Sequence, residues 1–340
     1  MIKQGLQRGN DLLLKVLGCV VATLLLAGCS AFSPRLTPGY VTQDDNFQVI
    51  RSFPGDTYKT LAKRIYGTSV EADRLSTINP ELDPAGGTLI AAPRRVLNPL
   101  GVYPNGYRTM PILCYHRFTA ANKSRSKLEL TQHKVRQQLQ YIADQGYHVI
   151  RMSDVEDYLQ GRKEIPRRSV VITIDDGYRS TYDVLFPLLQ EYEFPATIFV
   201  YTDFIGAPAA LTWKQMKIMR DSGLVDIQSH SKSHASLVEL TNSGPGYLKR
   251  LESEVRTPRK ALEKRLGHPV DIFSYPYGDT NKKAVKALKK QGIRMAVTVN
   301  RGGNPSFANP YLLRRTMVYG DDTLASFKRK LQVFRRESFE

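Results

Sequence analysis

The chain is poor in the residues that staple small folds or build soft metal centres. It has only three cysteines, Cys19, Cys29 and Cys114, in 340 residues, which excludes a disulfide framework and a thiolate-rich metal site. Histidine is scarce as well: there are six, and none follows His268. The amino-terminal apolar run from Val16 to Ala27, preceded by Lys3, Arg8 and Lys15, is too short to cross a bilayer and has the form of a secretory signal peptide. Acidic residues are outnumbered, 32 against 49 Lys and Arg, leaving a net charge of +17. Such a balance suits polyanionic surroundings, and nucleic acid is the first partner it suggests. An exported chain rarely meets nucleic acid, so no such partner is expected; phospholipid head groups, anionic wall polymers or lipopolysaccharide fit better. A hydrophobic content of 41% is ample for a packed core and excludes disorder for the bulk of the chain.

Two short strings carry most of the chemistry. Ser169 to Ile174 is a β-branched apolar run that reads as a buried strand, and it ends in Asp175-Asp176-Gly177. Asp-Gly is an ordinary turn sequence, yet buried strands rarely end in adjacent acids. The second string, His230-Ser231-Lys232-Ser233-His234, has histidines at i and i+4, a spacing that puts both imidazoles on one face of a helical turn. One carboxylate and two histidines give a cation three protein ligands, with positions open for water and substrate, as in catalytic sites. The other carboxylate is then free to take a proton from a water that the metal has acidified.

After Met110, apolar runs (148–152, 170–174, 196–201, 225–228, 271–275, 295–299) alternate with segments of helical period such as 247–266 and 282–292. This alternation predicts a parallel α/β architecture. Asp175, His230 and Tyr277 fall just past the ends of expected strands, where (β/α) barrels collect catalytic groups. The length favours two domains, and Pro93 to Arg108, with three prolines and two glycines, marks the boundary between them.

The stretch Thr173-Ile174-Asp175-Asp176-Gly177 resembles the first motif of the polysaccharide deacetylases related to the nodulation chitooligosaccharide deacetylase (carbohydrate esterase family 4, the NodB homology domain). His230 to His234 resembles the second motif, and Phe273-Ser274-Tyr275-Pro276-Tyr277-Gly278 the third. Leu211-Thr212-Trp213 sits where the family often has an aromatic groove wall. The resemblance runs from about Met110 to Val318. It implies a distorted, incomplete (β/α) barrel with an open groove. It also implies Asp175 as general base and Asp176, His230 and His234 as ligands of a divalent metal, zinc first, with nickel, cobalt or manganese as alternatives. Pro276, Tyr277, Trp213 and Tyr201 would then contact the sugar, and the Tyr277 N–H would help hold the oxyanion. There are two departures. The family usually has an arginine two residues before the motif proline to orient the catalytic Asp, and this chain has Ser274 there. Arg314 and Arg315 are the candidate replacements, and Arg315 is taken as the one. The family's late histidine, which protonates the leaving amine, is also missing. His116, after the expected strand Met110 to Tyr115, is the candidate to fill that role, and a Tyr115-His116 pair resembles the members acting on poly-N-acetylglucosamine. His133, His148 and His268 read as surface residues.

Leu26-Ala27-Gly28-Cys29 resembles the bacterial lipoprotein box, which implies cleavage before Cys29 and a lipid on that residue. The expected organisation is a signal peptide over 1–28, a tether over 29–45, a small domain over 46–93, a linker over 94–108 and the deacetylase domain over 109–340. The small domain, through Pro54-Gly55-Asp56-Thr57 and Ile78-Asn79-Pro80, resembles the lysin motif, a βααβ unit that binds N-acetylglucosamine chains. The expected function is metal-dependent N-deacetylation of N-acetylglucosamine residues in peptidoglycan or poly-N-acetylglucosamine. It would be carried out by an exported protein anchored through lipid to a bacterial membrane, the outer membrane on its periplasmic or surface face, and acting alone or within an exopolysaccharide synthesis or export assembly. The alternative is a glycan-binding envelope lipoprotein that does not catalyse.

Overall fold

The computed structural model describes residues 37–337 other than 45, 68, 95–97 and 99. The expected signal peptide, its Cys29 and the start of the expected tether lie outside the described residues. Among those described, no helix is long and apolar enough to cross a membrane. The chain divides into two units, Met1–Leu97 and Asn98–Glu340.

In the first unit the strands β1 (Tyr40–Gln43), β2 (Phe47–Arg51) and β3 (Leu89–Pro93) form an antiparallel sheet in that order. Thr57 caps the helix Tyr58–Tyr66, its side chain accepting from the Thr60 N–H while the Thr60 hydroxyl accepts from the Thr57 N–H. Leu61 and Ala62 from that helix, with Leu75 from the helix Ala72–Ile78, pack on Ile50, Ile90 and Ala92 of the sheet. Asn79 ends the second helix and ties it to β3, exchanging hydrogen bonds with both the N–H and the carbonyl of Ala91. The βααβ order expected over 46–93 is therefore present. It is extended by β1, which lies within the stretch read as tether and is held by its pairing with β2.

The second unit contains β4 (Val102–Tyr103), β5 (Gly106–Arg108), β6 (Met110–Tyr115), β7 (Arg117–Thr119), β8 (Glu129–Thr131), β9 (His148–Val149), β10 (Ser169–Ile174), β11 (Ala196–Val200), β12 (Val225–Ser229), β13 (Ile272–Ser274), β14 (Met295–Val297), β15 (Gly303–Asn304), β16 (Thr316–Met317) and β17 (Phe334–Arg336). Its main sheet has the order β14-β13-β12-β11-β10-β6-β15, with β9 beside β10 and β16 beside β6. All of these pairings are parallel except that of β15 with β6. The sheet curls into a distorted barrel. Its two ends are bridged by the chain from Leu313 to Met317: Leu313 exchanges backbone bonds with Ala296 and Thr298, and β16 pairs with β6. Residues 102–108, inside the stretch read as linker, form the β4–β5 hairpin, and β5 pairs with β17. These residues are held by strand pairing within the second unit.

Because side chains alternate across a strand, each barrel strand presents one set inward and one outward. Ile112 (β6), Val171 (β10), Phe199 (β11), Ile272 (β13) and Val297 (β14) pack together in the barrel interior. Leu113, Ile172, Ile198 and Ile227 face the outer helices, among them Gln132–Asp144 and Trp213–Asp221. The strands are apolar on both faces, as a covered parallel sheet requires. The same parity sends Cys114, Asp175, His230 and Ser274 inward at the carboxyl ends of their strands.

Candidate active site

Asp175 follows β10 directly, and its N–H bonds to the Tyr115 carbonyl. Its carboxylate is buried and gripped from one side by Arg315, itself fully buried. Arg315 Nη1 donates to Asp175 Oδ1 at 2.7 Å and Nη2 to Oδ2 at 2.6 Å. The remaining guanidinium donors reach the Thr298 carbonyl at 2.8 Å, the Ser274 hydroxyl at 2.8 Å and Thr173 Oγ1 at 3.3 Å, so all five N–H groups are used. Ser274 Oγ also lies 3.2 Å from Asp175 Oδ2. The guanidinium arrives from the bridging segment 313–317 and passes the small Ser274, so that Arg315, the expected candidate, pairs with Asp175. Arg314, the other candidate, is exposed on the opposite parity.

Burial alone would raise the Asp175 carboxyl, but Arg315 and then His230 outweigh it and hold it at about 2. A carboxyl depressed below its unfolded value stabilises the fold above that value, and the stabilisation is lost as the pH falls through the folded one. Asp175 accordingly contributes fully above pH 3.8 and loses its contribution toward about 2. Denaturant titrations between pH 5 and pH 2 are expected to show a falling midpoint, with a shallower fall in Asp175→Asn. Equal slopes in the two proteins would contradict this assignment.

Asp176 turns away from Arg315 and faces the histidines. Its Oδ1 lies 3.5 Å from His230 Nε2 and 3.4 Å from His234 Nε2, and the three ligand atoms lie within 4.8 Å of one another. Two ligand atoms each ~2.1 Å from a tetrahedral cation are themselves ~3.4 Å apart, so this donor set fits a small divalent ion. His230 Nδ1 lies 2.8 Å from the Ser274 carbonyl. That bond requires the proton on Nδ1 and leaves the Nε2 lone pair toward Asp176. Burial would raise Asp176, but its bonds to His230 and His234 outweigh burial and hold the carboxyl well below its ordinary value.

The histidines do not sit on a helical turn, contrary to their i,i+4 spacing. After β12 the chain runs as a loop in which Ser231 has φ 77° and His234 φ 63°, and this left-handed path brings the two rings to 4.8 Å between centroids. Glu254, from the helix Tyr247–Leu266, fixes the loop by accepting from the N–H groups of Lys232 and Ser233. Asp176 (φ 74°) and Tyr277 (φ 62°) are left-handed too, so four of the six non-glycine residues with positive φ among those described lie at this one place. Strained backbone concentrates where function over-determines it. Gly177 belongs to the same turn, where a Cβ would meet Val200 Cγ1 at 2.7 Å.

Of the expected groove residues, Tyr201 and Tyr277 flank His234, with ring centroids 5.2 Å and 4.7 Å away. Tyr277 is 63% exposed, and Pro276 beneath it is buried. The segment before Trp213 is tied to the Gly177 turn, the Leu211 N–H donating to the Gly177 carbonyl. The Trp213 ring packs on the main core cluster and is covered by Arg265 at 4.8 Å, because it opens the helix Trp213–Asp221 on the outer layer. His116 does reach the site: one ring nitrogen lies within 4.8 Å of Asp175 and Cys114 ligand atoms, and its buried Nδ1 has no hydrogen-bond partner in the protein. Burial pushes its imidazole below the ordinary value, partly opposed by Asp175 and Asp176. His268, read as a surface residue, is instead half-buried beside Asp226 at 3.7 Å. The sequence reading missed Cys114, whose thiol lies 3.6 Å from Asp175 Oδ2; its inward parity two residues before His116 was the available signal. It also missed Glu254, for which the sequence offered none.

The polysaccharide deacetylase family matches residues 162–296. YxkH of Bacillus subtilis (strain 168), which is named as a polysaccharide deacetylase, is 32% identical over 210 residues, covering 62% of this chain and 71% of that protein. A poly-β-1,6-N-acetyl-D-glucosamine N-deacetylase of Staphylococcus epidermidis is 27% identical over 220 residues, 62% of this chain and 75% of that one. The match to the enzyme of the same name in Escherichia coli (strain K12) spans 36% of that longer protein. Among solved structures, the Streptococcus pyogenes deacetylase PplD in complex with acetate has the same fold, with a TM-score of 0.60 and 24% identity, covering 66% of this chain and 98% of that one. With a family match over 162–296 and a relative 32% identical over 71% of its length, the chain belongs to the polysaccharide deacetylases, a family of hydrolases.

Proposed function

We propose that this chain is a metal-dependent deacetylase that hydrolyses the N-acetyl groups of N-acetylglucosamine residues in a cell-envelope or extracellular polysaccharide, releasing acetate and leaving a free amine. The observation that carries this reading is the division between two neighbouring acids: Asp175 is committed to Arg315, and Asp176 to His230 and His234. Asp176, His230 and His234 would hold a divalent cation, zinc first, with nickel, cobalt or manganese as alternatives. When bound, such an ion polarises the amide carbonyl and acidifies a water. Asp175, kept ionised and oriented by Arg315, accepts the proton of the attacking water. The Tyr277 N–H donates to the developing oxyanion, and Tyr201 and Tyr277 hold the sugar ring. His116 delivers a proton to the departing amine; being neutral at rest, it must first take up the proton that Asp175 has accepted.

The names of the relatives favour poly-β-1,6-N-acetylglucosamine over peptidoglycan, and Tyr115-His116 leans the same way. The wider reading is a chain exported by the signal peptide 1–28, held to the outer membrane on its periplasmic or surface face by lipid on Cys29, and presenting the lysin-like residues 46–93 to glycan. It would act beside an exopolysaccharide synthesis or export assembly.

The test is acetate release by the zinc-loaded, signal-free protein from β-1,6- and β-1,4-linked N-acetylglucosamine oligomers and from peptidoglycan. Release is expected from the β-1,6 oligomers, to be abolished by a chelator and restored by zinc. Both metal content and release should be lost in His234→Ala, and His116→Ala should keep the metal but lose turnover. A protein that holds the metal yet releases no acetate from any of these polymers would instead be the glycan-binding lipoprotein.

A further inference from the structure

A second concave site lies in the barrel unit, away from the metal cluster. It is a cavity of about 650 Å³ whose lining includes Tyr107, Thr109, Arg301, Phe307, Arg314, Phe334 and Arg335. Its position follows from the sheet. Thr109 precedes β6, and β15, which also contributes to the wall, pairs with Met110 and Pro111 at the start of that strand. Asp175 and His116 sit beyond the end of β6. Six residues at ~3.3 Å each place the two sites roughly 20 Å apart, at opposite ends of the barrel.

The chemistry of this cavity differs from that of the active site. No acid lines it. Arg335 is paired with Glu337 at 3.4 Å, whereas the guanidinium groups of Arg301 and Arg314 have no ion pair or hydrogen bond among the described residues; Arg314 is held through its backbone, its N–H donating to Asn304 Oδ1 and its carbonyl accepting from Asn304 Nδ2. Gly302, at φ 146°, gives Arg314 its path, for a Cβ there would come within 3.0 Å of Arg314 Cδ. Beside these cations stand two aromatic rings: Phe307 is 61% exposed, and Phe334, which packs on Tyr103 with ring centroids 6.0 Å apart, is 36% exposed. Phe307 is held edge-on by Tyr107, with ring centroids 5.1 Å apart and planes at 70°. Unpaired guanidinium forks fit phosphate oxygens, and exposed aromatic faces fit the C–H face of a sugar ring. The volume is that of a site for one small ligand. Two unpaired arginines favour a phosphate dianion over a single carboxylate, and a deacetylated glycan, carrying ammonium groups, would be repelled.

We propose that this cavity binds a phosphorylated saccharide, with Arg301 and Arg314 holding the phosphate and Phe307 and Phe334 lying against the ring. The site is independent of the deacetylase chemistry. It is tested by calorimetric titration of the protein with N-acetylglucosamine 1-phosphate, N-acetylglucosamine and inorganic phosphate, and by sedimentation with phosphatidylglycerol vesicles. The sugar phosphate is expected to bind at least tenfold more tightly than either fragment. Arg301→Ala combined with Arg314→Ala should weaken it tenfold or more, and Phe307→Ala should weaken the sugar phosphate but leave inorganic phosphate unchanged. These side chains are exposed, and an unchanged melting curve confirms that the variants fold. The proposal is overturned if the sugar phosphate fails to bind, if inorganic phosphate binds equally well, or if the arginine pair makes no difference. Vesicle binding that depends on Arg301 and Arg314 without sugar phosphate binding would assign the face to a lipid headgroup and overturn it as well.

Discussion

Asp175→Asn is expected to reduce acetate release about 10²- to 10⁴-fold, the usual contribution of a positioned general base, while leaving metal content unchanged, since Asp176, His230 and His234 keep their places. The amide retains the shape of the carboxylate but cannot accept the water's proton. It also leaves the fully buried Arg315 without its counter-charge, so stability should fall as well, by the ~3–5 kcal/mol that breaking one side of a buried pair costs. The two effects separate cleanly if turnover is measured well below the variant's melting transition and metal is counted in the same sample. Near wild-type turnover in a folded, metal-loaded Asp175→Asn would remove Asp175 from the mechanism and move the base to His116.

Much of this site was legible in the sequence because strand parity and motif order are local. A β-branched run ending in two acids places Asp175 at the carboxyl end of β10, and the alternation of runs and helical segments gives the parallel barrel. The loop of His230 to His234 was not legible in its conformation. The i,i+4 spacing fits a helical turn, but the actual path depends on left-handed Ser231 and His234 and on Glu254, twenty residues or more downstream, bonding the loop backbone. Spacing reports which side chains can meet, and tertiary bonding decides how. The packing of Trp213 was not legible either: a position in a motif does not fix which face of its helix looks to the core, and the ring meets Arg265 and the main cluster. β1 and the β4–β5 hairpin are short pairings in Pro- and Gly-containing stretches, where composition reads as connector and only the partner strand makes them structure.

Arg315 provides the sharpest test of how the site is built. Arg315→Met leaves the ionised, buried Asp175 unpaired and is expected to cost ~3–5 kcal/mol in denaturant unfolding, and the freed carboxyl should rise from about 2 as its main stabilising cation goes. Arg315→Lys keeps the charge but offers a single ammonium where the guanidinium spans both Asp175 oxygens, Ser274 and the Thr298 carbonyl, so it should recover stability only in part and turnover hardly at all. The decisive variant relocates the cation: Ser274→Arg combined with Arg315→Ser puts a guanidinium at the position two residues before Pro276, where the family resemblance leads one to expect it. If Arg315 supplies the missing motif arginine, the exchange should restore acetate release well above that of Arg315→Ser alone, with the metal retained in both. An exchange that refolds and binds metal yet gains no turnover would show that Arg315 serves the barrel interior alone, and that the orientation of Asp175 rests on Ser274 and the strand end.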